Sequence, residues 1–265
     1  VDRRNNGSHP DMSLEMLLRS ARSLKPYFRE CARAGMKLEE ADAFPTLRAL
    51  GMEAEKTMLN ATGGVNAHKG AIFSLGLLAA SAAACLRSFE ADAEKICARA
   101  GRMAAPHMEA HFHSLRAETA YSFGDRLFLA TGLRGARGEA ADGFPSVLRI
   151  ALPALDAEEM GNPAEVVGSS VTVDGNSVMP DAEELSGAYA LLRLAVEMDD
   201  TTLIRRGGRS RAEAAKKEIR AFLDSGLTRE KVETLDDQFI HENLTLGGCA
   251  DLLACAYFLR AVREI

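Results

Sequence analysis

Ala71-Ile72-Phe73-Ser74-Leu75-Gly76-Leu77-Leu78-Ala79-Ala80-Ser81-Ala82-Ala83-Ala84-Cys85-Leu86 is the stretch that decides the fold. It lies within an apolar segment running from Val65 to Phe89 that is hydrophobic nearly all round, which is the pattern of a helix buried on every side. The run is too short, and too rich in Ser and Gly, to span a bilayer. It is therefore expected to be the central helix of a globular core.

Working outward, Thr62-Gly63-Gly64 breaks the chain before this helix. Upstream, Leu47, Leu50, Ala54 and Met58 predict a helix over Pro45–Asn60. Leu14, Leu17, Leu18, Ala21, Leu24 and Phe28 predict one over Leu14–Ala34. Downstream, Ala93, Ile96, Cys97 and Ala100 mark a helix within Glu90–Ser114. Gly132–Gly143 holds four glycines and reads as a loop. Pro145–Leu155 reads as a short apolar helix. Val166-Val167 and Val171-Thr172-Val173 make 161–180 the one candidate strand region. Helices are then expected over Asp181–Asp199, over Arg211–Leu223, from Thr228 onward, and over Gly248–Glu264. The expectation is an all-α, bundle-like single domain over residues 1–265 with a buried central helix.

Composition narrows the function. The chain has 265 residues, is 47% hydrophobic and 26% charged, and carries a formal charge of -6. That balance excludes a general nucleic-acid binder while leaving room for a local basic pocket. The five cysteines include no C-x-x-C pair, and their apolar neighbours indicate reduced, buried thiols and a cytoplasmic setting. No signal peptide is evident. The first residue is Val1, followed by the polar string Asp2-Arg3-Arg4-Asn5-Asn6-Gly7-Ser8-His9, which is expected of a chain truncated at its N-terminus.

Four segments interrupt apolar patterns with glycine and polar residues. In the first, Ala61–Gly70, Gly63 and Gly64 allow close backbone approach. Asn66, His68 and Lys69 then stand at the start of a helix, where an anion is favoured; a tight turn into the core helix explains the same residues. In the second, Gly135–Pro145, Arg137 and Glu139 sit among small residues, as a phosphate clamp or as a solvated connection. In the third, Asp199-Asp200 follows a helix C-terminus, where negative charge is unfavourable unless a cation such as Mg²⁺ joins it; Arg205, Arg206 and Arg209 supply countercharge. In the fourth, Asn243–Leu253, Asp251 occupies the first turn of an apolar helix. His107, His111 and His113 have helical spacing but no supporting ligand motif, and they read as a solvated face. Lys216-Lys217 reads as exposed charge.

The strings Ala61–Leu78, Gly132–Leu155, Asp199–Gly208 and Phe239–Leu253, with residues 1–9, resemble the triphosphoribosyl-dephospho-CoA synthase family across nearly the whole chain. Ala67, Thr202 and Leu246 depart from its usual Thr, Asn and Pro. The resemblance implies transfer of the triphosphoribosyl group of ATP to the 2′-hydroxyl of 3′-dephospho-CoA with release of adenine. The product is the prosthetic-group precursor for the acyl-carrier subunit of citrate lyase or malonate decarboxylase, handed on to a holo-acyl-carrier-protein transferase. A homodimer is compatible with this, and neither nucleic acid nor membrane is involved. Such chemistry passes through an oxocarbenium-like state. The expected roles are Asp199 and Asp200 on Mg²⁺, and Lys69, Arg137 and Arg206 on phosphates. Glu139 or Asp251 is the expected general base, and Asn5, Asn6, Asn66 and His68 orient ribose or adenine. Two rivals are a Mg²⁺-dependent ADP-ribosyl hydrolase-like enzyme and a non-catalytic partner of the lyase.

Overall fold

A computed structural model describes residues 1, 3–89, 91–156 and 180–264. The candidate strand region over 161–179 lies outside them. The described residues form helices and no strand: α1 (Leu14–Ser23), α2 (Lys25–Lys37), α3 (Glu40–Thr62), α4 (Lys69–Arg87), α5 (Ala93–Ser114), α6 (Phe123–Thr131), α7 (Gly135–Ala141), α8 (Leu152–Asp156, continuing a π turn over Val147–Ala151), α9 (Pro180–Glu197), α10 (Thr201–Asp224), α11 (Arg229–His241) and α12 (Gly247–Val262).

The apolar stretch is α4, and it is central: α2, α3, α5 and α12 all pack on it. By length and composition it could cross a membrane, but 67% of its apolar window is buried inside the protein. Its small residues explain how four helices approach so closely. A Cβ on Gly35 would lie 1.9 Å from Ala80 O, so the backbones of α2 and α4 touch. Tyr27 Oη reaches across the Gly76 position to donate to Ile72 O at 2.9 Å. Side-chain caps fix the helix starts: Ser13 accepts from Met16 N, Asp92 from Lys95 N, and Thr228 from Lys231 N.

The structure corrects four boundaries. The helix expected over Leu14–Ala34 is two, because the chain turns at Leu24 and Pro26 opens α2, where its missing N–H costs nothing. α3 begins at Glu40, so Pro45 lies inside it rather than at its start. α10 runs back to Thr201 and is kinked at Gly208 (φ 74°, ψ 170°). Gly132–Gly143 is not a loop but holds α7. Its glycines serve contact as well as turning: a Cβ on Gly101 of α5 would lie 2.9 Å from Gly143 Cα, so α5 and the end of α7 meet backbone to backbone. All five cysteines are free and buried, as expected.

Candidate active site

The start of α12 gathers the other segments. Asp200, 2% exposed, is the N-cap of α10, and its Oδ1 accepts from Thr202 N at 2.7 Å and Leu203 N at 3.0 Å. Its Oδ2 accepts from Cys249 N at 2.9 Å, so one carboxylate starts two helices. Gly248 makes this approach possible, since a Cβ there would come within 3.2 Å of the Asp200 carboxylate. A Cβ on Gly247 would lie 3.2 Å from Thr202 Oγ1, and one on Gly135 would lie 3.1 Å from Thr201 Cγ2. The second, third and fourth segments thus meet here.

The first segment meets them through Asp251. This carboxylate accepts from Ala71 N in the first turn of α4, and it fills the space where Gly70 has no side chain. Burial, followed by the nearby charge of Asp200, pushes its pKa up to about 7. Asp251 thus titrates near neutrality while lying at the junction of two helix starts.

The remaining members of the first segment order the turn around it. Gly63 caps α3 in the left-handed region (φ 69°), Gly64 follows at φ 97°, and a Cβ on either would meet nothing within 4 Å. Asn66 Oδ1 accepts from Lys69 N at 3.2 Å. His68 Nδ1 lies 2.8 Å from Ser20 Oγ, and burial lowers its pKa. Lys69 Nζ pairs with Glu55 at 2.8 Å and is largely exposed.

A second polar cluster adjoins α12. Arg206 Nη1 donates to Asn243 Oδ1, and Asn243 holds the turn before α12 at φ 56°. Arg206 Nη2 lies 3.4 Å from His9 Nδ1, and His9 Nε2 lies 3.1 Å from Thr245 Oγ1. Burial and then the Arg206 charge lower the His9 pKa. The N-terminal stretch leading there is pinned to α11: Asn5 Nδ2 donates to Asp236 at 2.8 Å and Ser8 Oγ to Phe239 O at 3.0 Å, while Asn6 is exposed.

Other expected residues face elsewhere. Glu139 accepts from Ser146 N at 2.7 Å, from Ser146 Oγ at 3.0 Å and from Val147 N. Burial raises its pKa against those bonds, and its charge faces the buried thiols Cys97 and Cys255. Arg137 stands two residues beyond Gly135, on the other side of α7. There it pairs with buried Asp125, 6% exposed, and contacts His111 Nε2 at 3.1 Å. Burial would raise the Asp125 pKa, but hydrogen bonds from Ser122, Arg137 and His111 outweigh it and hold the acid well below its usual range. His111 is thus a half-buried partner of Asp125, not part of a solvated face, and His107 stacks on Phe44. Asp125 was signalled only as a cap, by Ser122 three residues before it.

Asp199 and Asp200 do not converge as a pair. Asp199 Oδ1 binds Lys216, which is 15% exposed and so not the surface charge its sequence suggested. Among the described residues no group of three or more His, Cys, Asp or Glu side chains could hold a metal. The second carboxylate oxygen of Asp199 remains as a hard donor. It fits a Mg²⁺ carried chiefly by substrate phosphates, which needs only one or two carboxylates from protein.

Comparison with known proteins gives a consistent picture. The profile of the CitG family, described as ATP:dephospho-CoA triphosphoribosyl transferase, matches residues 1–265. A probable 2-(5''-triphosphoribosyl)-3'-dephosphocoenzyme-A synthase of Pseudomonas fluorescens is 36% identical, over 100% of this chain and 84% of its own. The corresponding probable synthase of Lactiplantibacillus plantarum is 34% identical, over 100% and 90%. The synthase of Escherichia fergusonii is 33% identical, over 98% and 82%. No solved structure matches.

Proposed function

The chain belongs to the ATP:dephospho-CoA triphosphoribosyl transferase family, and from that premise we propose how its own residues carry the reaction. The enzyme moves the triphosphoribosyl group of ATP onto dephospho-CoA. Membership selects this reaction over the hydrolase-like and non-catalytic readings.

The observation that carries the site assignment is the convergence of four separate polar segments on the first turn of α12, with Asp251 at its centre. In our reading the acceptor's ribose 2′-hydroxyl gives its proton to Asp251 as its oxygen bonds to the anomeric carbon of ATP. The bond from that carbon to adenine breaks, and adenine leaves with the electron pair and takes up a proton. A carboxyl with a pKa of about 7 suits a base that must take a proton and later release it. Glu139, with its oxygens engaged by residues 146 and 147, is the weaker candidate. Arg206 and Lys69 supply charge toward phosphates, Lys69 by leaving its exposed pairing with Glu55. The N-termini of α4 and α12 add their dipoles. Arg137 acts from α7 through the Asp125 cluster or not at all. Mg²⁺, when bound, would neutralise triphosphate charge, with Asp199 as its protein ligand.

The free, buried thiols and the use of ATP support our reading that the reaction runs in the cytoplasm. The product would pass to a transferase that loads an acyl-carrier subunit of citrate lyase or malonate decarboxylase. The test is incubation with ATP, Mg²⁺ and dephospho-CoA followed by mass spectrometry. Free adenine together with a triphosphoribosyl adduct of dephospho-CoA is expected; adenine without the adduct would indicate a hydrolase.

A further inference from the structure

Beside the start of α12 lies a cavity of about 320 Å³ that the steps above do not use. Its walls are Leu191 and Leu192 of α9, Leu235 and Phe239 of α11, and Leu244 and Leu246 of the turn before α12. The polar side chains of the lining are few: Ser8, His9, Thr245 and Asp236. The charge of Asp236 is already met by Arg4 and Asn5. We propose that this cavity receives the pantetheine arm of dephospho-CoA, a reading that rests on the transferase assignment.

The chemistry of the walls selects the arm over either adenine. A purine is held between facing rings, and here Phe239 and the His9 imidazole are the rings of the lining, with His9 already engaged by Thr245 and Arg206 and Asp236 by Arg4 and Asn5. A long uncharged chain with two amides needs an apolar trough with a few polar groups, which is what these helices enclose. Ala250 of the cavity lining is the chain neighbour of Asp251, so the cavity adjoins the reacting carboxylate. Asp251 stands where the ribose hydroxyl reacts. Arg206 and His9, in contact with each other, suit the pyrophosphate. His9 and Gly247 then belong to the cavity lining itself.

The test uses Ala250→Phe, which adds bulk at an exposed position of the cavity wall, and Ala188→Leu, which fills it from α9. Thermal melting first establishes that each variant is folded. The KM for dephospho-CoA should rise roughly tenfold or more, with the KM for ATP unchanged. Calorimetric titration should show weaker binding of dephospho-CoA and unchanged binding of ADP, which is the same nucleotide without the arm. Folded variants with an unaltered KM for dephospho-CoA would overturn the proposal, as would a rise confined to ATP. If the unmodified enzyme releases no adenine, the transferase reading fails instead. The titration then still decides the cavity: equal dephospho-CoA binding by enzyme and variants rejects it, and weakened binding supports it.

Discussion

Gly70 and Asp251 share one small volume: a Cβ on Gly70 would lie 1.9 Å from Asp251 Oδ2 and 2.7 Å from its Cγ. Only a hydrogen at residue 70 lets the carboxylate reach Ala71 N across the start of α4. The obstructing atoms belong to a side chain, which can rotate away. Gly70→Ala should therefore displace Asp251 while leaving the helices in place. We expect turnover to fall 100-fold or more, on the order of what misplacing a reacting group costs, with a melting temperature within a few degrees of the unmodified protein. Circular dichroism and adenine release read the two effects separately.

Asp251→Asn tests the base directly. With Asp251 pushed up to about 7, kcat should rise with pH through neutrality and level off above it. The Asn variant should lose this limb and roughly 10²–10⁴ in rate. Stability carries the opposite sign. The folded pKa lies above the unfolded value, so the protonated acid favours the fold at low pH. That advantage is lost as pH rises from about 4 through about 7. Above that range Asp251→Asn should be more stable than the unmodified protein, by an amount on the order of 4 kcal/mol. Urea unfolding at pH 5 and pH 8 measures it.

Asp199 and Asp200 are neighbours in sequence with separate work, and substitution should part them. Asp200→Ala leaves the N–H groups of Thr202, Leu203 and Cys249 without their acceptor. A loss of at least about 3 kcal/mol is expected. Asp199→Asn gives up a partly exposed pairing with Lys216, worth under about 1 kcal/mol, and should stay folded while losing most turnover. Retained turnover at ordinary Mg²⁺ would remove Asp199 from the metal's ligands.

Gly35→Ala serves as the contrary case. Its Cβ would lie 1.9 Å from Ala80 O, a backbone atom in the central helix that cannot rotate away. Forcing α2 off α4 should cost about 3 kcal/mol. At a temperature where the variant remains folded, the KM values for both substrates should be unchanged, because no site residue lies on that contact.

How much was legible beforehand follows the range of the forces involved. The apolar face of α4 and the spacing within α5 are written in neighbouring residues, so periodicity alone located the core. Pro26 marks a true helix start that the apolar periodicity over Leu14–Ala34 ran across, whereas the glycines of α7 misled because a residue's local preference shows where a helix is weak, not whether a neighbour compensates. In α7 the glycines permit contact with α5, a reason that exists only once both helices are placed.

For the site, the sequence by itself determined the all-helical class, the buried central helix, the family and the four polar segments. Tertiary structure decided which of their residues meet. Asp251 and Gly70 are 181 positions apart, and no local pattern links them. Glu139, Arg137 and Asp200 carry the same charges at any place in the fold. Their roles were set by which backbone N–H groups and side chains the packing of α7, α10 and α12 brought within hydrogen-bond reach. The pKa of Asp251 likewise depends on burial and on Asp200, two properties of the folded chain. Sequence names the charged groups, and the low-dielectric contacts made on folding decide what each one does.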